Sequence, residues 1–147
     1  TSGILHDIGK IVLDALYADF YKGVLSAVVE RNISIEEAED LALGMSRARL
    51  GHELAESWGI PSRLAEAISH HHRPEKAEID PEIASLVHIA DAACRNVGFG
   101  SGGDTLVPVI HPFAFNQVAV EPQDLVSWEE EMVQVIEKDM AFLSAIS

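Results

Sequence analysis

The sequence predicts an all-α protein, a bundle of amphipathic helices. Apolar residues recur at intervals of about four over long stretches, helix-starting and helix-ending residues separate these stretches, and there is no repeat or heptad array. The length of 147 residues suits one domain with a single sizeable core. The chain begins without Met and runs at once into a helical pattern, so we expect it to be the C-terminal half of a longer protein.

The predicted helices are bounded by residues that start or stop helices. Helical patterns cover residues 3–31, 34–58, 61–72, 81–97 and 121–144. Ser34 with Glu37 makes a capping box, and Asp80 followed by Pro81 makes an N-cap and first-turn pair.

Residues 98–120 interrupt the helical pattern. Gly98 is placed to end the helix before it, as Gly59 is earlier in the chain, and three more glycines and two prolines follow within the segment. We therefore predict an irregular loop over 98–120, followed by a terminal helix over 121–144. The whole chain, 1–147, then forms a single helical domain.

The composition argues against two classes of partner. There are 24 Asp and Glu against 10 Lys and Arg, a net charge of −14 that would repel a phosphate backbone, so we expect no nucleic-acid partner. No apolar stretch approaches the roughly 20 residues that cross a membrane, and the start of the chain does not resemble a signal peptide, so we expect no membrane partner. The single cysteine, Cys94, excludes an internal disulfide and indicates a reducing compartment, which we expect to be the cytoplasm.

Two acidic residues lie near histidines inside apolar helical stretches. His6 and Asp7 occur within Gly-Ile-Leu-His-Asp-Ile-Gly-Lys, and Asp91 occurs within Leu-Val-His-Ile-Ala-Asp-Ala-Ala-Cys. A carboxylate inside an apolar helix carries a large desolvation cost unless a partner compensates it, so two of them near histidine suggest a shared cation. His71 and His72 end another apolar stretch. Mixed imidazole and carboxylate donors suit iron, manganese, nickel or zinc better than calcium.

Each of these residues also has a purely structural explanation. Asp7 could pair with Lys10 at i+3, and the histidines at 70–72 could be a polar helix end that favours the helix dipole. Taken alone, three further histidines are explained by structure or exposure: His52, His88 and His111. The order and spacing of the whole set argue against coincidence.

Several phrases of the sequence resemble one family. Leu5-His6-Asp7-Ile8-Gly9-Lys10 is similar to the signature segment of the HD superfamily of metal-dependent phosphohydrolases. Four further segments resemble the HDOD family in particular: Gly-His-Glu-Leu-Ala at 51–55, Trp-Gly-Ile-Pro at 58–61, Ala-Ile-Ser-His-His-His at 67–72 and Val-His-Ile-Ala-Asp at 87–91. The resemblance implies an HD-superfamily helical bundle.

The resemblance also implies roles for individual residues. The implied metal ligands are His6, Asp7, His52, His71, His72 and Asp91, for one or two divalent ions of iron, manganese, nickel or zinc. With two ions, Asp7 would bridge them about 3.5–4 Å apart, and a hydroxide between them would attack a phosphoester. Lys10 would then neutralise phosphate charge, so Asp7 and Lys10 are the catalytic candidates.

Two departures from the wider superfamily favour a regulatory role. The chain begins too late to contain the superfamily's earliest ligand, a histidine upstream of His6, and Arg73-Pro74-Glu75-Lys76 stands where the related HD-GYP domains read cyclic di-GMP. The resemblance to HDOD domains implies a bacterial signal-transduction domain with a retained His/Asp metal site, regulatory and not catalytic, whose partners are other signalling proteins or domains. The alternatives are a metal-dependent phosphohydrolase acting on a nucleotide or other phosphoester, and an interaction domain without metal.

Overall fold

A computed structural model describes residues 1–99, 104, 106 and 109–145 of the chain. Over these residues the fold is α-helical and contains no strand. The α-helices are α1 Ser2–Leu5, α2 Ile8–Arg31, α3 Ile35–Leu43, α4 Arg47–Ser57, α5 Ser62–His70, α6 Pro81–Asn96, α7 Pro112–Val118 and α8 Asp124–Ala145, with a 3₁₀ turn at Pro74–Lys76. The predicted all-α class is therefore confirmed.

The first predicted helix, 3–31, is interrupted at His6 and Asp7. Asp7 leaves the helical region, with φ −104° and ψ 16°, and becomes the residue that precedes α2. Its carbonyl oxygen accepts a hydrogen bond from the backbone N–H of Lys10 at 3.0 Å, a tight turn that restarts the helix. The break places two of the predicted ligands between helices, where their side chains are not confined to one helical face.

The prediction of one continuous helix over 34–58 was wrong, because this segment forms two helices, α3 and α4. Gly44 adopts φ +67°, and its backbone N–H closes α3 on the carbonyl oxygen of Asp40. Ser46 then caps α4 by accepting from the backbone N–H of Arg49 at 3.4 Å. The apolar pattern continues across this corner, so periodicity alone does not reveal it.

Most predicted helix ends are confirmed. The side chain of Ser34 accepts from the backbone N–H of Glu37 at 3.2 Å, and that of Asp80 accepts from Ile83 at 3.2 Å. Gly59 and Gly98 both have positive φ, as glycines after helix ends commonly do.

Part of the predicted irregular loop is helical. Within 98–120, α7 begins with Pro112 in its first turn and His111 as its cap, which explains why a proline there starts a helix. The three glycines at 100, 102 and 103 and the proline at 108 lie outside the described residues.

The core forms where the helices cross. One buried cluster joins α2 to α3 through Tyr21, Val24 and Ile35, and another joins α4 to α5 through Ala55 and Ile68. Several large apolar side chains of α1 and α2 are instead exposed: Ile4, Ile11, Leu16, Tyr17 and Phe20. Within the described part of the chain, no helix has both the length and the apolar character needed to cross a membrane.

Helices α2 and α4 cross at two glycines. A Cβ atom on Gly9 would lie 2.1 Å from the carbonyl oxygen of Arg47, far inside van der Waals contact. A Cβ on Gly51 would meet the side chains of Ile68 and Ile8 at 2.9 and 3.3 Å. The backbones therefore touch without intervening side chains, and this contact sets the start of α4 beside Asp7.

A buried carboxylate fastens the segment that precedes α6. Glu66 on α5 accepts hydrogen bonds from the backbone N–H groups of Glu78, Ile79 and Asp80 at 2.8–3.0 Å. Burial acts to raise the pKa of Glu66, but these three donors outweigh it and the pKa is lowered. The anchored segment positions α6, which carries Asp91.

Candidate metal centre

Three parts of the fold meet at the candidate site. The α1–α2 break supplies His6 and Asp7, the residues directly after α5 supply His71 and His72, and the middle of α6 supplies Asp91. These five residues come from segments up to 85 positions apart, so their meeting depends on the whole bundle.

The donor atoms of His6, Asp7 and His71 all lie within 4.8 Å of one another. Nε2 of His6 is 3.7 Å from Oδ1 of Asp91 and 3.9 Å from Oδ2 of Asp7. The rings of His6 and His71 meet edge to face with centroids 5.0 Å apart, and the ring of His72 lies 3.9 Å from that of His71. The structure thus brings together five of the six predicted ligands.

The hydrogen bonds of the histidines define their free nitrogens. Nδ1 of His71 lies 2.7 Å from the carbonyl oxygen of Ile68, and Nδ1 of His6 lies 2.8 Å from that of Gly3. A carbonyl oxygen only accepts, so each Nδ1 carries the proton and each Nε2 is left to bind a ligand. Among the described residues, Nε2 of His71 and Nε2 of His72 are buried without a hydrogen-bond partner.

The electrostatics divide the histidines into two kinds. The carboxylate of Asp91 raises the pKa of His6 above its ordinary value. Burial acts to raise the pKa of Asp91, but the interaction with His6 lowers it overall. Burial lowers the pKa of His71 to about 3 and that of His72 to about 4. Near neutral pH, His71 and His72 are therefore uncharged, whereas His6 is protonated more readily than an ordinary histidine.

The residues at the site fit one divalent ion. Two ligands bound about 2.1 Å from a tetrahedral metal lie about 3.4 Å apart. The separations of 3.7 and 3.9 Å around Nε2 of His6 exceed this by only a few tenths of an ångström. Two imidazoles and two carboxylates make a mixed donor set suited to zinc, iron, manganese or nickel.

One side of Asp7 is occupied by a buried ion-pair network that the sequence analysis did not find. Nε of Arg47 lies 3.0 Å from Oδ1 of Asp7, and the same guanidinium lies 3.6 Å from Oε1 of Glu39. The hydroxyl of Tyr21 donates to Glu39 at 2.9 Å, and the backbone N–H of Arg47 donates to it at 3.0 Å. Arg47 is 2% exposed and Glu39 is 0% exposed, so the network belongs to the interior.

His52 stands apart from this group. Nε2 of His52 lies 3.7 Å from the carboxylate of Glu56, one turn further along α4, and His52 is not part of the donor group around His6. Lys10 lies in the first turn of α2. Arg47, the first residue of α4, forms the contact between α4 and Asp7.

His88 supports the site through the backbone. Its Nδ1 donates to the carbonyl oxygen of His71 at 2.7 Å, and its Nε2 accepts from the backbone N–H of His111 at 3.0 Å. Burial lowers the pKa of His88, which keeps the ring neutral for both roles. His88 therefore ties α6 to the end of α5 and to the start of α7.

The family profile described as HDOD domain matches residues 1–74, which include the α1–α2 break, α4 and the histidines after α5. The chain belongs to the HDOD domain family. This HDOD chain is 27% identical over 94 residues to a protein of Treponema pallidum (strain Nichols) described as uncharacterized, a match that covers 63% of the chain and 18% of the relative.

A solved HDOD structure has the same fold. The chain matches a crystal structure of an HDOD domain protein with unknown function from Geobacter sulfurreducens, with a TM-score of 0.80 and 22% identity. The match covers 92% of this chain and 50% of the solved one. This HDOD chain therefore spans about half the length of that structure and less than a fifth of the Treponema protein.

Proposed function

We propose that this HDOD domain is a regulatory module of signal transduction, in which one divalent ion held by His6, Asp7, His71 and Asp91 fixes the meeting of α2, α5 and α6. The observation that carries the proposal is Nε2 of His71. Its ring is 0% exposed and Nδ1 is engaged, yet Nε2 has no hydrogen-bond partner among the described residues. A buried polar atom without a partner is costly, and a metal ion would supply the missing one.

A structural role for the ion follows from where its ligands lie. The four ligands come from three separate parts of the chain: His6 and Asp7 from the α1–α2 break, His71 from directly after α5, and Asp91 from α6. An ion that binds the folded arrangement and not the unfolded chain stabilises the fold, and a tighter-binding ion stabilises it more. Gain or loss of the ion would therefore change how firmly the helices are held, which is a means of regulation without catalysis.

The surface supports a role in contacts with other signalling proteins or domains. Ile4 is 88% exposed and Leu16 is 70% exposed, and three further large apolar side chains of α2 are exposed as well. A run of exposed large apolar residues on one pair of helices is typical of an interaction surface. The lone Cys94, which is a free thiol in this fold, supports a reducing compartment such as the cytoplasm.

Elemental analysis of protein purified without chelator or nickel resin tests the metal site. We expect about one equivalent of iron, manganese, nickel or zinc per chain. Asp91→Ala should lose the metal and lower the melting temperature, because the shared cation loses an anionic ligand. Asp14→Ala, at an exposed position of α2, is the matched control and should change neither. Full metal content and unchanged melting in Asp91→Ala would remove Asp91 from the ligand set.

A phosphohydrolase is the second candidate because a cavity adjoins the site. It has a volume of about 300 Å³, and its lining includes Arg47, His72 and Arg95. Arg95 is paired with Asp104, and Arg47 with Asp7, so neither arginine offers its full charge to a phosphate. We therefore expect no turnover of bis(4-nitrophenyl) phosphate with Mn²⁺ present. Turnover that Asp7→Asn abolishes would favour the enzyme instead.

A further inference from the structure

The buried guanidinium of Arg47 is a permanent positive charge beside the candidate metal ligands. Arginine does not lose its proton in proteins, so this charge does not depend on pH in the working range. Its contacts include Asp7 at 3.0 Å, Glu39 at 3.6 Å, and the hydrogen bond from its own backbone N–H to Glu39. Tyr21 holds Glu39 in turn.

The two oxygens of Asp7 face different neighbours. Oδ2 lies 3.9 Å from Nε2 of His6, on the side where the proposed ion binds. Oδ1 lies 3.0 Å from Nε of Arg47. A carboxylate that bridges two metal ions needs one oxygen for each ion. Here the second oxygen already faces a cation that cannot leave without unpairing Glu39 in the interior.

We infer that Arg47 takes the place of a second metal ion on Asp7, so that the site holds no more than one divalent cation. This inference rests on the proposed metal site. A guanidinium balances the charge of Asp7 but binds no water as a Lewis acid. The hydroxide that two metal ions would share has no second ion to hold it. The arrangement keeps one metal ion that can hold the helices together and lacks the second ion that would help to form the attacking hydroxide.

The test compares the number of Mn²⁺ ions bound by three proteins in calorimetric titrations of chelator-treated, desalted chain. Arg47→His removes the fixed charge and leaves a neutral nitrogen donor, while Arg47→Lys retains the charge and is the matched control. We expect one ion in the wild type, one in Arg47→Lys and two in Arg47→His. In Arg47→His, the electron paramagnetic resonance spectrum should show two coupled Mn²⁺ ions.

Folding of the variant is controlled by a double substitution. Because Arg47→His leaves Glu39 buried without its cation, Glu39→Gln/Arg47→His is measured alongside, since it removes both charges. Two ions in the wild type, or one ion in the wild type and in both His variants, would overturn the inference and leave the metal site standing. No ion in the wild type but binding in a His variant would uphold the inference and overturn the proposed function. No ion in any protein would overturn both.

Discussion

The glycine contact between α2 and α4 makes a sharp prediction for Gly9→Ala. The added Cβ would lie 2.1 Å from the carbonyl oxygen of Arg47, whereas such contacts are not found below 3.0 Å, so the helices must separate by about 0.9 Å. Overpacking of this kind costs about 1–3 kcal/mol, and alanine recovers up to about 1 kcal/mol through its higher helix propensity. We expect a net loss of about 1–2 kcal/mol in the free energy of unfolding.

Gly23→Ala is the matched control in the same helix. A Cβ at Gly23 would have no atom within 4 Å, so the substitution should stabilise the protein by about 0.4–1 kcal/mol. Urea unfolding of the metal-free proteins, followed by far-ultraviolet circular dichroism, measures both changes. If Gly9→Ala is as stable as Gly23→Ala, the backbones do not meet as described.

Three further predictions concern charge. The metal-free domain should lose stability as the pH falls from about 7 to 4. Histidines of the unfolded chain take up protons near pH 6.5, whereas burial holds the pKa of His72 in the folded domain at about 4. This pKa difference corresponds to a loss of roughly 3 kcal/mol in the free energy of unfolding. The pKa of His6 is raised instead, so His6 affects stability only above pH 6.5. A free energy of unfolding that stays constant between pH 7 and 5 would contradict the expected loss of stability. Metal binding at pH 6.5 should release a proton from His6 and none from His71, which calorimetry in two buffers of different ionisation enthalpy detects; heats independent of the buffer would argue against it. Glu66→Gln should cost about 1–3 kcal/mol and speed amide exchange at residues 78–80, whereas Glu75→Gln, at an exposed position, should do neither.

Local chemistry made much of the fold predictable. The capping residues Ser34 and Asp80 act on backbone groups three positions away, so the sequence contains the whole interaction. The corner at Gly44 was missed because an isolated glycine is also tolerated within a helix, and the apolar pattern runs on after it. Helix α7 was missed because Pro112 can either break a helix or begin one.

The candidate site shows a similar division. A carboxylate next to histidine in an apolar stretch is unusual enough to draw attention, and the structure brings His6, Asp7 and His71 together. Arg47 gave no such signal, because an arginine on an amphipathic helix usually faces solvent. Its partners Glu39 and Tyr21 lie on two other helices. Only the crossing of those helices makes it an interior cation.

The two hydrogen bonds of His88 have a consequence for how sequences of this kind can diverge. The ring donates on one edge to His71 and accepts on the other from His111, 23 positions further along the chain. Asparagine and glutamine also carry a donor and an acceptor, but both are at the same end of the side chain. No other side chain carries a donor on one edge of a ring for the carbonyl oxygen of His71 and an acceptor on another edge for the backbone N–H of His111. A lineage that no longer used metal could therefore exchange His6 freely, while position 88 would still be restricted to histidine.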